Sequence, residues 1–298
     1  GDVRRMPSVL VENHSLKPYR QRVFGTYVLL EQTLKTLAKD GASLKAAIKA
    51  DRALRPATLD VNWTTTAEPV WRMDFKTIAG AKAASAASGG ETMRWTGKAG
   101  DVVNIPVYGS EPGAHLQVAK AYWIPSTKAD LIARLKAHGV VMETLKKQRE
   151  VEVDMIRFAG FKIGAPSEGH YPTTATGMTH EKRKETFPAG SVRISTDQPL
   201  GVLAAMLLEP EGEDSFFAWG FFPEILQRVE YMEPYAIAPM ADAMLAKDPT
   251  LKAEFEGKLK ADPNFAASPL RRLQFFYERS PFYDDRYLLY PVGREVGP

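Results

Sequence analysis

Apolar and polar positions alternate along this chain with two different periods, and the period changes mark its elements. Near the start, Ser8-Val9-Leu10-Val11 is apolar, too short for a helix and without strict alternation. That pattern predicts a strand buried on both faces, as in a parallel sheet, with Glu12 at its C-terminal end, where open α/β sheets place their chemistry. After Pro18, Val23, Tyr27, Leu30, Leu34 and Leu37 recur at spacings of 4, 3, 4 and 3, which predicts a helix from Arg22 to Ala38. A second amphipathic helix is expected from Ser43 to Leu54, stopped at Arg55-Pro56. The opening therefore reads as one strand-plus-helix unit. A lone strand is not stable, so the unit looks like the end of something larger. Burying Val9, Leu10 and Val11 would be worth roughly 5 kcal/mol, so the unit is expected to pack against the later residues or a second copy.

From Trp63 the period becomes that of strands. Glu68 to Ile78, Thr92 to Thr96, Val102 to Tyr108 and His115 to Ile124 are rich in aromatic and β-branched residues. Ala79 to Gly90, AGAKAASAASGG, is small and flexible and predicts a hairpin loop. A helix capped by Ser126 or Thr127 runs to His138 and stops at Gly139. Strand character returns over Val140 to Leu145 and Glu150 to Ile163. Ala165 to Thr179 is a polar loop, and His180 to Ile194 reads as a hairpin turning at Pro188-Ala189-Gly190. The rest is mainly helical: Leu200 to Leu208, then three cap-and-proline starts at Asp248-Pro249, Asp262-Pro263 and Ser268-Pro269. A helix over Leu270 to Arg279 precedes a proline- and tyrosine-rich tail, Pro281 to Pro291.

Composition narrows the function classes. The 39 basic and 36 acidic side chains leave a net charge of +3, and no basic stripe is interleaved with aromatics, so nucleic acid is not an expected partner. There is no cysteine, which removes disulfides, thiol nucleophiles and cysteine zinc sites. No run of 18 apolar residues predicts a membrane span. The chain opens Gly-Asp-Val-Arg-Arg, with neither an initiator methionine nor an apolar leader, as a processed product would.

Candidate chemistry is sparse. The five histidines stand at 14, 115, 138, 170 and 180, and none begins a His-x-x-Glu or His-Glu-x-x-His. His180 and Glu181 are adjacent and on a strand would face opposite sides. His170 and His180 flank a loop and read better as exposed side chains than as a metal pair. His138 precedes a helix-stopping glycine, where it favours the helix dipole. Gly-x-Ser-x-Gly, Gly-x-x-x-x-Gly-Lys and Gly-x-Gly-x-x-Gly are all absent. Glu209-Pro210-Glu211-Gly212-Glu213-Asp214 could attract a cation but reads better as a solvated turn. Phe216, Phe217, Trp219, Phe221 and Phe222 could line a groove, although packing is the better reading of such large rings. Glu12 remains; its residues alone favour a structural carboxylate paired with Lys17, Arg20 or Arg22.

The stretch Val9-Leu10-Val11-Glu12-Asn13-His14-Ser15-Leu16-Lys17-Pro18-Tyr19, followed by Arg22-Val23, resembles the final active-site strand of bacterial zinc carboxypeptidases related to carboxypeptidase A. Phe187-Pro188-Ala189-Gly190, Asp197-Gln198-Pro199-Leu200, Leu207-Leu208-Glu209-Pro210-Glu211, Trp219-Gly220-Phe221-Phe222 and Ser280-Pro281-Phe282-Tyr283 look like the long C-terminal extension of one bacterial branch. Ala121-Tyr122-Trp123-Ile124-Pro125 and His138-Gly139 lie between. The resemblance implies that Glu12 is the catalytic general base and that the last helix of the catalytic domain follows it. It also implies zinc in the intact enzyme, a peptide substrate there, and a periplasmic or secreted location. The family's His-x-x-Glu, later histidine and substrate-carboxylate arginines have no counterpart in the eleven residues before Glu12. The implied picture is the C-terminal part of such an enzyme, without its N-terminal catalytic half, holding no metal ligand and inactive alone. The expected fold is mixed α+β. Residues 1–58 would end the catalytic α/β domain, and 59–298 would form an accessory domain, β-rich over 59–195 with an inserted helix and mainly helical over 196–298. Substrate-binding residues are not identifiable. The alternative is a free-standing, non-catalytic module that binds a peptide, glycan or partner.

Overall fold

The computed structural model describes residues 1–297 except 14, 16, 229 and 230. The fold is mixed α+β and divides into two compact units: residues 1–55, 119–210 and 214–298 in the first, and 56–118 with 211–213 in the second.

In the first unit, the expected strand at Ser8–Val11 does not form. These residues are extended coil, with Val9 and Leu10 83% and 84% exposed. The reason is the one that makes any lone strand unstable: no neighbouring strand supplies its backbone partners. The two expected helices are one, α1 (Tyr19–Ala53), of 35 residues and about 52 Å. Gly41 does not break it, because one interior glycine costs only about 1 kcal/mol among good helix formers. Ser43, instead of capping a new helix, donates its hydroxyl to the Asp40 carbonyl at 2.7 Å. No residue of α1 is fully buried.

The core of this unit is a six-stranded antiparallel sheet. Its strands are β3 (Ala121–Ile124), β4 (Glu143–Thr144), β5 (Arg149–Phe158), β8 (Met178–Phe187), β9 (Val192–Ser195) and β10 (Gly293–Glu295), in the order β4-β9-β3-β10-β5-β8. A small pair, β6 (Phe161–Ile163) and β7 (Thr173–Ala175), stands apart between β5 and β8. All four residues of β3 are buried, as an apolar run covered on both faces should be. The expected hairpin over His180–Ile194 does not close. The turn at Pro188–Gly190 is present, but β8 pairs with β5 over ten residues while β9 crosses to pair with β3 and β4. A second departure lies in the tail, where Gly293–Glu295 forms β10 between β3 and β5. On one face, Trp123, Leu145, Val153, Met155, Phe187 and Leu289 pack together. Gly293 meets that cluster so closely that an added Cβ would stand 3.0 Å from Val153 and 3.1 Å from Phe187.

α2 (Ala129–Ala137) starts without a side-chain cap, its N-cap being Lys128 and not Ser126 or Thr127. It stops as expected at Gly139, whose φ of +87° few other residues tolerate. α3 (Gly201–Leu208) is apolar on all sides and largely buried. α4 (Pro234–Lys247), α5 (Pro249–Ala261), α6 (Pro263–Ala266) and α7 (Pro269–Tyr277) enclose a second cluster of Ala241, Phe255, Phe265, Phe275 and Phe276. Their starts follow the local chemistry. Asp248 accepts from the Thr250 and Leu251 amides at 2.9 and 3.0 Å, Asp262 from Phe265 at 3.0 Å, and Ser268 from Arg271 at 3.3 Å.

The second unit is chiefly one antiparallel hairpin, β1 (Thr58–Ser85) and β2 (Gly90–Gln117), each of 28 residues where strands of 3–10 are usual. The loop expected over Ala79–Gly90 is mostly strand. Gly80 to Ser85 pair with Trp95 to Gly90, and only residues 86–89 turn. Small residues lower strand propensity without preventing a ladder that the flanking residues hold in register. From Trp71 to Phe75 the side chains alternate cleanly. Trp71, Met73 and Phe75 lie opposite Val107, Ile105 and Val103, and Arg72 and Asp74 lie opposite Pro106 and Asn104 on the other face.

Candidate functional site

Glu12 lies in the extended segment before α1 and is exposed. No cation stands within 4 Å of its carboxylate among the described residues, so the expected pairing with Lys17, Arg20 or Arg22 is not seen. The next residue ties this segment to the helix: Asn13 donates to the Thr26 hydroxyl at 2.7 Å. Beside it is an open recess of about 440 Å³, lined by Asn13, Tyr19, Arg22, Val23, Thr26, Tyr27 and Leu30. Arg22 Nε has no hydrogen-bond partner among the described residues. His14 and Leu16, which belong to the carboxypeptidase-like stretch, lie outside the described residues.

A second constellation had no sequence signal: a chain of charged and polar groups buried in the first unit. Register places Arg294 of β10 between Tyr122 of β3 and Asp154 of β5. Glu209, the residue after α3, is 1% exposed. It accepts from the Tyr122 hydroxyl at 2.6 Å and from Arg294 Nε at 3.0 Å. Arg294 Nη1 donates to Asp154 Oδ2 at 2.5 Å, and His180 Nδ1 stands 2.8 Å from the same oxygen. Tyr290 donates to the Leu208 carbonyl at 2.9 Å, fixing the end of α3.

Electrostatics hold Tyr122 and Arg294 each in one protonation state. Burial, and then the Glu209 charge and hydrogen bond, push the Tyr122 hydroxyl far above the usual tyrosine range, so it stays protonated. Burial would lower the Arg294 guanidinium, but the charge and hydrogen bond of Glu209, with Tyr122 and Asp154, outweigh it and raise it. Arg294 is therefore a permanent cation between two carboxylates. Only His180, half exposed at the rim, reaches solvent from this group. The arrangement suits fastening the last strand more than proton transfer.

A ladder of ion pairs runs along β5 and β8. Arg157 and Glu181 pair closely, and Arg157 also donates to the Tyr287 carbonyl at 2.9 Å. Arg183 meets Glu185 at 2.9 Å and Asp285 at 2.5 Å. The Arg157 hydrogen bond holds Glu181 below the ordinary glutamate value, and the Arg183 hydrogen bond does the same to Asp285. Near β10, Arg193 lowers Glu295, which also accepts from Trp123 Nε1 at 3.1 Å.

The other candidates separate. Phe216, Phe217 and Phe222 are buried, with Phe217 against Phe158 at 4.4 Å and Phe222 against Tyr290 at 4.8 Å, which is the packing reading. Half-buried Trp219 and Phe221 hold His170 at 5.2 and 5.3 Å. His138 bonds Arg4, and His115 bonds Asp60. Of the acidic stretch read as a solvated turn, Glu209 is buried and bonded and Glu211 is half-buried, while exposed Glu213 and Asp214 accept from the Trp63 amide at 2.6 Å and from Trp219 Nε1 at 3.2 Å. Among the described residues, no three His, Cys, Asp or Glu side chains come together to hold a metal. No described helix is long and apolar enough to cross a membrane.

No protein-family model matches the chain, and no solved structure matches it. Among curated proteins, a Carboxypeptidase 2 of Trichophyton tonsurans is 30% identical over 104 residues, covering 35% of this chain and 19% of that protein. The Carboxypeptidase 2 of Trichophyton equinum gives the same figures. That of Trichophyton rubrum is 28% identical over 114 residues, covering 38% of this chain and 21% of the relative. The chain spans about a fifth of the length of the curated relatives it matches. It carries a region related in sequence to a stretch of these fungal carboxypeptidases.

Proposed function

We propose that this chain is a C-terminal portion of a secreted or periplasmic zinc carboxypeptidase that hydrolyses C-terminal peptide bonds, with Glu12 as its general base. The observation that carries the reading is the similarity to three fungal proteins named Carboxypeptidase 2. It is supported by the stretch from Val9 to Val23, and by a Glu12 carboxylate that is exposed and unpaired among the described residues. In this reading Glu12 accepts a proton from the attacking water and delivers it to the departing amine as the peptide bond breaks. The zinc would be held by residues outside this chain, so the chain alone is inactive.

The test is made on the longer protein. Glu12→Gln should keep its zinc and lower kcat for release of a C-terminal residue by about 10²–10⁴-fold, the usual cost of losing an acid–base group. In the present chain the same change should leave the melting temperature where it was. A longer Glu12→Gln protein that works at a near-normal rate would remove Glu12 from the mechanism. A longer protein without bound zinc or carboxypeptidase activity would favour a non-catalytic binding module.

A further inference from the structure

Glu12 ends a run with little to hold it. Residues 6 to 12 are all exposed, and Ser8 to Val11 have no strand beside them among the described residues. Asn13 is half-buried, and of Tyr19 to Leu30 only Arg22 and Thr26 are not exposed. These three meet. Asn13 Nδ2 donates to Thr26 Oγ1 at 2.7 Å and reaches the Arg22 carbonyl at 3.4 Å, while Thr26 Oγ1 donates to that carbonyl at 3.0 Å. A threonine inside a helix can turn its hydroxyl back to the carbonyl four residues earlier, which uses its proton and leaves its lone pairs facing outward. Thr26 can therefore only accept from Asn13. Reversed, the Asn13 amide would set its oxygen against the Arg22 carbonyl and Thr26 with no proton between them. Among the described residues, these are the hydrogen bonds that join residues 7–13 to α1.

We propose that Asn13, held by Thr26, is a positioning residue for Glu12. The inference rests on the reading of Glu12 as the general base. Neighbouring Cα atoms are about 3.8 Å apart, so a side chain fastened to α1 at position 13 fixes the backbone on the C-terminal side of Glu12. The contact does nothing for the helix itself. The N-cap of α1 is Pro18, and the free amides at a helix start belong to its first turn, whereas Asn13 meets a hydroxyl and a carbonyl one to two turns further in. What it holds is the segment. A general base works within about 2.6–3.2 Å of the atom that gives up the proton. A displacement of about 1 Å can cost about 10²-fold in rate, so a carboxylate on an unfastened coil is a poor base.

The test is kinetic and uses the longer protein, with the present chain as the control for folding. Asn13→Ala and Thr26→Val should each lower kcat for release of a C-terminal residue by about 10–100-fold, with KM within about twofold. Thr26→Ser keeps the accepting oxygen and should stay within about twofold of the unaltered protein. The double variant, Asn13→Ala with Thr26→Val, should lose no more than either alone, since both remove one bond. Added to Glu12→Gln, Asn13→Ala should cost nothing further, because groups that act as a unit are not additive. In the present chain neither Asn13→Ala nor Thr26→Val should alter the circular dichroism. A near-normal rate in Glu12→Gln overturns the reading of Glu12 and this inference with it. Only the positioning role falls if Glu12→Gln loses its rate as expected while Asn13→Ala keeps kcat, or lowers it as much again in the Glu12→Gln background. Additive losses in the double variant, or a Thr26→Ser as slow as Thr26→Val, overturn it too. Loss of zinc or of the fold in Asn13→Ala would make the contact structural and have the same consequence.

Discussion

Replacing Arg294 by Met tests whether the buried network fastens the sheet. The guanidinium is the cation between Asp154 and Glu209, and its side chain and both carboxylates are 9% exposed or less. Met fills a similar volume but leaves two buried carboxylates without their shared partner. Removing one member of a buried ion pair costs about 3–5 kcal/mol. For a unit of this size each kcal/mol moves the melting temperature by about 2–4 °C, so a fall on the order of 10 °C is expected. Arg294→Lys should fall between, because a single ammonium cannot reproduce the fork that reaches Glu209 and Asp154 together. Replacing the three groups at once (Arg294→Met, Asp154→Leu, Glu209→Met) should recover much of the loss, since apolar substitutes remove the desolvation cost with the charges. Calorimetry and urea unfolding measure all three. The reasoning is refuted if Arg294→Met loses less than about 1 kcal/mol, or if the triple variant is less stable than the single one.

Two further outcomes follow from other contacts. Glu181, Asp285 and Glu295 all sit below the ordinary carboxylate values of 4.5, 3.8 and 4.5. Their stabilisation is therefore complete above those values and is lost as pH falls through the lowered ones. Scanning calorimetry from pH 6 to 2 should show a falling melting temperature, with a shallower fall in Arg183→Gln. The difference should stay within about 1 kcal/mol because Asp285 is half exposed, and equal slopes would contradict it. Gly201→Ala should destabilise by about 1–3 kcal/mol in urea, because its Cβ would stand 1.9 Å from the Thr196 carbonyl oxygen and the start of α3 must shift. A neutral Ala would mean that this contact is soft.

How much could be read from the residues follows the range of the interactions. Asp248, Asp262 and Ser268 cap helices through amides two or three residues away, and were legible for that reason. Gly139 is likewise a local decision. Glu209 was not legible, because the groups that bury it, Tyr122 and Arg294, lie 87 and 85 residues away. Its surroundings in sequence are those of a solvated turn; the one local hint is that α3, which it follows, has no polar side. The hairpin expected at His180–Ile194 failed at the same range: its turn is local, but the partners of β9 lie in β3 and β4. Ser8–Val11 shows the converse, a fitting pattern without a partner to realise it. Glu12 was singled out by resemblance, and nothing in its own surroundings would have raised it above other exposed carboxylates.

The position of β10 affects the order in which the fold can be assembled. Gly293 to Glu295 are paired with Ala121 to Trp123, across more than half the length of the chain, and they occupy the middle of the sheet, not its edge. Until Glu295 has been synthesised, β3 and β5 have no strand between them, and the sheet exists only as two halves, β4-β9-β3 and β5-β8. During translation the apolar residues of both halves are present before the strand that joins them, the condition in which partly folded chains need protection from one another. Closing a sheet through such distant contacts is also intrinsically slow. Cleavage just before Gly293 would thus divide the sheet at its centre, where losing an edge strand would only shorten it.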